Sequence, residues 1–248
     1  MLATLALTLF ALANGPVRAE AANAVFAPFD PLLRAHVVAG QVDYPAFAAA
    51  DDFKDLVQTL ASAVPDADAT QAERLAFYIN AYNVMSIQGI LDGYSPSSIW
   101  GRLRFFKRRK YDLFGTSMSL FDLEHDRIIS EGEPRIHFAI VCASQSCPPL
   151  QSTIYTVAGL DAELDAAATG FINDPANNRF DAGQRKAELS SIFKWYRDEF
   201  EAAGGGSLGG YLAQYVTDEA VANSLRSDDW SFKFQDYDWS LNGTPLAR

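Results

Sequence analysis

The thiols and imidazoles of this 248-residue chain are few: two cysteines and three histidines. Cysteine chemistry needs a thiolate, a base within reach, and a third group that orients the base. Cys142 and Cys147 stand with four residues between them, just after His137, and His125 lies upstream. The run 135–142 is short, β-branched and aromatic, the pattern of a buried strand. Alternation along such a strand puts His137, Ala139 and Val141 on one face, with Phe138, Ile140 and Cys142 on the other. Cys142 then faces away from His137 and reads as core. Cys147 lies beyond the strand end, in an irregular loop over 144–150 that holds Pro148 and Pro149, and can fold back. Cys147 is therefore the expected nucleophile, with His137 or His125 as base. Each has a plainer reading beside it. Cys142 is a small buried hydrophobe, either histidine is a hydrogen-bonded structural residue, and the two cysteines form a disulfide staple in an oxidising compartment. His36 has no polar cluster beside it and carries only the structural reading.

Asn80 and Asn83 are amides inside an otherwise apolar helical pattern, where burial costs free energy unless they find partners. Glu73 and Asn80 are seven apart, on one side of the helix two turns away from each other. Such a stripe could orient a histidine, or donate to an oxyanion together with the backbone N–H groups of 144–147. Against this, Glu73 already fits a helix cap, and a buried Asn often ties a loop to a helix. No H-x-x-x-H or C-x-x-C spacing points to a metal, and no glycine-rich phosphate loop points to a cofactor. Thiol–disulfide exchange also lacks its C-x-x-C pattern.

The elements that must position these residues follow from periodicity and breakers. Segments 30–38 and 51–63 read as helices. Thr70-x-x-Glu73 is a capping box opening the clearest helix, which Gly93 closes. Residues 111–120 read as a hairpin across Gly115, and 121–130 return to helical spacing. A helix over 157–172, a second hairpin over 180–189, helices over 192–200 and 208–216, and a final strand over 231–239 complete the order. Long helices mixed with short hairpins predict an α+β fold, a single domain of helices on a small, mainly antiparallel sheet.

Composition bounds the rest. The formal net charge of −11 disfavours general nucleic-acid binding, which needs cations to displace counterions. Against that balance, 102–110 carries six basic residues and no acid (Arg102, Arg104, Lys107, Arg108, Arg109 and Lys110). An exposed patch there would attract a peptide-like or anionic envelope substrate. Residues 2–12 form an uncharged apolar run, too short to span a bilayer, and Val17-Arg18-Ala19 offers a cleavage site. The expectation is a signal peptide over 1–19 and an exported, periplasmic product over 20–248 with no integral membrane span.

Five separated segments resemble one family. They are Glu73-Arg-Leu-Ala-Phe-Tyr-Ile-Asn80-Ala-Tyr-Asn83, Ser119-Leu-Phe-Asp-Leu-Glu124-His125, and Pro134-Arg-Ile-His137-Phe-Ala-Ile-Val-Cys142-Ala-Ser-Gln-Ser-Cys147-Pro-Pro-Leu150. Leu189-Ser-Ser-Ile-Phe-Lys-Trp-Tyr-Arg-Asp198 and Tyr237-Asp-Trp-Ser-Leu-Asn242 follow. Together, over about 43–242, they resemble the bacterial members of the domain-of-unknown-function 547 family. The resemblance implies kinship to papain-like cysteine-peptidase and transglutaminase-like folds. The expected function is an exported cysteine-dependent acyl-transfer enzyme, hydrolase- or amidase-like, with catalytic residues among Cys147, His137, His125, Asn80 and Glu73. The alternative is a non-catalytic binding or scaffold module with a Cys142–Cys147 disulfide.

Overall fold

The computed structural model describes residues 23–227 and 229–246. The expected signal peptide over 1–19 lies outside these residues. Among the described residues, no helix is long and apolar enough to cross a membrane.

The N-terminal part is helical: α1 (Phe29–His36), α2 (Tyr44–Ala49), α3 (Asp51–Thr59) and α4 (Gln71–Leu91), with strands β1 (Val37–Val38) and β2 (Gln41–Asp43) between α1 and α2. Helix α4 starts where the capping box places it: Thr70 accepts from the Glu73 N–H and Glu73 returns to the Thr70 N–H. Such a cap stabilises a helix by about 1 kcal/mol. Almost every residue from Leu75 to Ile87 is buried, so α4 is the central rod of the molecule and not a surface helix. A short α5 (Ile99–Arg102) then continues as a wide π-type turn (Leu103–Arg108).

The predicted hairpin is present as β3 (Tyr111–Leu113) and β4 (Thr116–Met118), in antiparallel register across Phe114-Gly115. The helix expected over 121–130 starts as α6 (Leu120–Leu123), widens to a π turn (Glu124–Ile128) and tightens to a 3₁₀ turn (Ile129–Glu131). The C-terminal part holds α7 (Leu160–Ile172), α8 (Ile192–Trp195), α9 (Arg197–Ala203), α10 (Leu208–Leu212) and α11 (Glu219–Leu225). Its strands are β5 (Arg179–Asp181), β6 (Lys186–Leu189), β7 (Ser231–Phe234) and β8 (Gly243–Thr244).

The fold is α+β, but its strands form three small sheets rather than one mainly antiparallel sheet: β1-β2-β8, β3-β4 and β5-β6-β7. Two of the three are mixed, because β8 joins β2 in parallel and β7 joins β6 in parallel. Strands of two to four residues pair with whichever remote segment packs beside them, so local pattern shows the hairpins and hides the parallel partners.

The strand expected over 135–142 is absent. Pro134 opens a 3₁₀ turn that runs to Phe138, and irregular backbone follows. The backbone groups that a strand would pair laterally are taken by side chains of α4. Asn83 donates to Ala139 O (3.0 Å) and accepts from Val141 N (2.9 Å), and Ser86 donates to Val141 O. The β-branched, aromatic composition of this run reflects burial, which a strand and an irregular buried segment share.

Two apolar clusters result. One gathers α1 to α4 and the β3-β4 hairpin around Phe29, Phe47, Phe77 and Tyr82. The other gathers α7 to α11 around Phe171, Phe193, Phe200 and Tyr211. Each fully buried phenylalanine contributes about 1.5–3 kcal/mol. The 134–147 segment runs between them: Ile136 and Ala139 belong to the first cluster, and Phe138 to the second.

Candidate functional site

A cavity of about 300 Å³ opens along this seam. Its walls come from α4 (Tyr82), the π turn after α5 (Phe106, Lys107), α6 and the turn behind it (Phe121, Glu124, His125), the 134–148 segment (His137, Cys142, Cys147), α8 with Tyr196, and the tail (Tyr237, Trp239). Three of the five sequence-predicted residues therefore meet here: Cys147, His137 and His125.

Cys142 also meets them, contrary to the opposite-face expectation, since that expectation needed a regular strand. Both cysteines are free thiols; Cys142 is partly exposed and Cys147 is buried. The Cys142 sulfur lies 2.8 Å from Ser144 Oγ and 3.1 Å from Tyr237 Oη. The Cys147 sulfur accepts the Cys142 N–H at 2.8 Å and lies 4.0 Å from Ile140 O. Burial pushes the Cys142 thiol up, but hydrogen bonds from Cys147, Ser144 and Tyr237 outweigh it and hold this thiol below its ordinary value. Burial, together with a hydrogen bond to Cys142, pushes the Cys147 thiol well above its own. The pair thus divides into a more acidic sulfur, Cys142, and a less acidic one, Cys147. Burial, and then the charge of Cys142, keeps Tyr237 a phenol and so a donor.

The loop carrying these sulfurs is pinned by the tail. Asn242 N donates to Ala143 O, Gln145 N to Ser240 O and Ser146 N to Asp238 O. Asn242 is itself held by a 2.6 Å hydrogen bond from Tyr44. Ala143 sits at φ 58°, a left-handed conformation that costs a side-chain-bearing residue about 1 kcal/mol or more. This strained residue directly follows Cys142 and turns the chain so that Ser144 Oγ reaches back to the sulfur.

On another wall, His137 is buried, and its Nε2 lies 3.0 Å from Glu199 Oε2. The carboxylate can only accept, so it fixes the proton on Nε2 and leaves Nδ1 with the lone pair when the ring is neutral. That Nδ1 is buried without a partner among the described residues. Tyr196 stacks on the ring, with centroids 3.6 Å apart, and donates its own hydroxyl to Glu124. Tyr82 reaches the other Glu124 oxygen at 3.4 Å. Glu124 is buried and lines the same cavity.

His125 is exposed, stacks on Phe121 and bonds Phe121 O through Nδ1. It lines the cavity rim, with no carboxylate bonded to its ring among the described residues.

Asn80 and Glu73 are not part of this site. The Asn80 amide closes on the backbone of Tyr155, donating to its O (2.7 Å) and accepting from its N (2.9 Å). Both ends of the amide are engaged there, and Asn80 does not line the cavity. Glu73 serves the α4 cap. The functional member of the α4 stripe is Asn83, which positions the backbone that leads into Cys142.

Sequence reasoning missed Glu199, Tyr196 and Tyr237 as site residues. Tyr196 and Tyr237 stand in quoted motifs, but nothing in their spacing ties them to His137 or Cys142. Glu199 lies one residue past its motif and 62 residues from His137, and Tyr237 lies 95 from Cys142.

No curated protein and no solved structure matches the chain significantly. A family match covers residues 67–172, which contain α4, Glu124, His137 and both cysteines, and the family is described only as a protein of unknown function, DUF547. That segment, which carries the cysteine pair and the histidine of the cavity, is similar to the DUF547 family.

Proposed function

We propose that this protein is an exported, cysteine-dependent acyl-transfer enzyme, hydrolase- or amidase-like, acting on a peptide-like or amide substrate, with Cys142 as nucleophile. Kinship to papain-like folds fits this chemistry, though the reading is carried by the cavity alone. The observation that carries it is one buried histidine, oriented by Glu199 through Nε2 and unpartnered at Nδ1, in the same cavity as a sulfur with the hydroxyls of Ser144 and Tyr237 at 2.8 and 3.1 Å. An unpaired buried acceptor costs about 1–3 kcal/mol, a cost that a catalytic role explains.

In this mechanism His137 Nδ1 takes the proton of the Cys142 thiol, and the resulting thiolate attacks the substrate carbonyl carbon. Tyr237, held as a phenol beside the sulfur, donates to the oxyanion that develops. His137 passes a proton to the departing amine, and the carbon–nitrogen bond breaks to leave a thioester on Cys142. Water, deprotonated by His137, then attacks the thioester and releases the acid. Cys147, the favoured nucleophile on sequence grounds, here accepts the Cys142 N–H and fixes the backbone beside the nucleophile. Within 102–110, the exposed Arg104, Lys107 and Arg108 draw anionic envelope substrates towards the cavity.

Alkylation by iodoacetamide near neutral pH, read by peptide mass mapping, tests the assignment. Cys142 should label at least tenfold faster than Cys147, and His137→Ala or Cys142→Ala should abolish turnover across a panel of amide and ester substrates. Faster labelling of Cys147 would return the role to that residue. A Cys142–Cys147 peptide that labels only after reduction would favour the scaffold reading and sink the enzyme.

A further inference from the structure

The segment between α4 and the β3-β4 hairpin presents two features that take no part in the bond-making steps at Cys142. At its start, Ile99 and Trp100 are 74 % and 70 % exposed, adjacent in sequence and uncovered. Soluble surfaces scatter single apolar residues, but a bare Ile-Trp pair at a helix start is a different object. Directly behind it, Arg104, Lys107 and Arg108 are exposed. Arg109 and Lys110 are neutralised by Asp92 and Asp122. Arg104, Lys107 and Arg108 have no carboxylate partner among the described residues. Trp100, Arg104 and Arg108 recur at four-residue spacing, so the indole and two unpaired guanidiniums share one side of this helical stretch. All this sits on a chain of net charge −11, whose remaining surface an anionic partner would repel.

We propose that Ile99–Arg108 docks the protein on the surface of an anionic phospholipid bilayer, with Ile99 and Trp100 entering the interface and Arg104 and Arg108 pairing with headgroup phosphates. An indole next to unpaired cations matches what a bilayer interface offers: an apolar edge under a layer of negative charge. A soluble polyanion would use the cations and leave the Ile-Trp pair exposed. The docked orientation also has a consequence for the cavity. Phe106 and Lys107 of the same stretch line it, and Arg102 lies over Trp239 at 4.5 Å on its rim. The cavity would then lie close to the membrane surface, ready for substrates carried there. The docking goes beyond the acyl-transfer reading and stands or falls independently of it, because lipid binding does not need Cys142.

The test is sedimentation of the purified chain with vesicles of phosphatidylcholine, with and without phosphatidylglycerol, at low and high salt. At about 1 kcal/mol per unpaired cation near an anionic surface, phosphatidylglycerol should strengthen binding on the order of a hundredfold. Added salt should reverse most of this gain. Arg104→Ser with Arg108→Ser should weaken it by roughly thirtyfold. Ile99→Ser with Trp100→Ser should remove the blue shift of tryptophan emission that vesicles induce. The exposed positions make these variants safe for folding, and the apolar run over 2–12 is common to all of them and cancels. Equal binding to both vesicle types, or variants that bind as the unaltered chain does, would overturn the proposal. So would a soluble polyanion that competes fully while the Ile99/Trp100 variant binds vesicles normally, since that outcome describes an anion patch.

Discussion

At the scale of single residues, the site depends on how its neighbours, the Ser144 and Tyr237 hydroxyls foremost, share one sulfur. The Cys142 thiolate is stabilised by Cys147, Ser144 and Tyr237 against the opposing effect of burial. A hydrogen bond to an ionised group is worth about 1.5–3 kcal/mol, which is one to two pH units of acidity. Tyr237→Phe keeps the ring against Trp195 and Trp239 but removes the hydroxyl that faces the sulfur. Loss of a donor to the charged form raises the thiol pKa. The rate of Cys142 alkylation against pH should therefore move upwards by about one unit, and the rate at neutral pH should fall about tenfold. An unchanged profile would mean that the phenol does not act on the thiolate. The same residues show what the sequence could disclose. His137 and the two cysteines lie within eleven consecutive positions, 137–147, so their types and density point to thiol chemistry. Which sulfur leads was not legible, because the choice depends on Tyr237 and on the turn at Ala143, neither of which has a local sequence signature.

At the scale of elements, α4 was the most legible part of the fold, and its role was the least. The capping box and helical spacing set its start within a residue. What they do not reveal is that its two asparagines do different work. Asn83 holds Ala139 O and Val141 N, the backbone just before Cys142, whereas Asn80 holds Tyr155, outside the cavity wall. Each side chain satisfies two buried backbone groups, and leaving one such group unpaired costs about 1–3 kcal/mol. Asn83→Ala and Asn80→Ala should therefore both lower stability in urea, each by about 2–4 kcal/mol. Only Asn83→Ala should also slow Cys142 alkylation in the folded protein. If Asn80→Ala slowed labelling as much, Asn80 would have the site role that its position in the sequence suggested. The misread strand has the same origin. Segment 139–142 is apolar because it is buried, and it is not a strand because α4 side chains occupy its hydrogen-bonding groups. That competition is tertiary, and periodicity does not register it.

At the scale of the whole molecule, the cavity belongs to neither apolar cluster alone. The family match over 67–172 spans Glu124, His137, Cys142 and Cys147. The carboxylate that orients His137 and the phenol that faces Cys142 come from Glu199 and Tyr237, beyond that span. The tail does more than supply a phenol. Residues 238–242 exchange three backbone hydrogen bonds with the 143–146 loop, β8 pairs with β2, and Asn242 is anchored to Tyr44. A chain ending at Asp236 keeps every fully buried residue of both clusters but loses these contacts. It should still unfold in one cooperative transition, at lower urea, because the cores supply most of the burial free energy. Its two thiols should lose their tenfold difference in alkylation rate, since the Cys142 sulfur has lost Tyr237 and its loop has lost its pins. Asn242→Ala leaves Tyr237 in place and loosens only the anchor, so its selectivity should fall between the two. A truncated chain that still labels Cys142 selectively would show that the 134–147 segment and α4 suffice to build the nucleophile, and that the tail covers the cavity without shaping it.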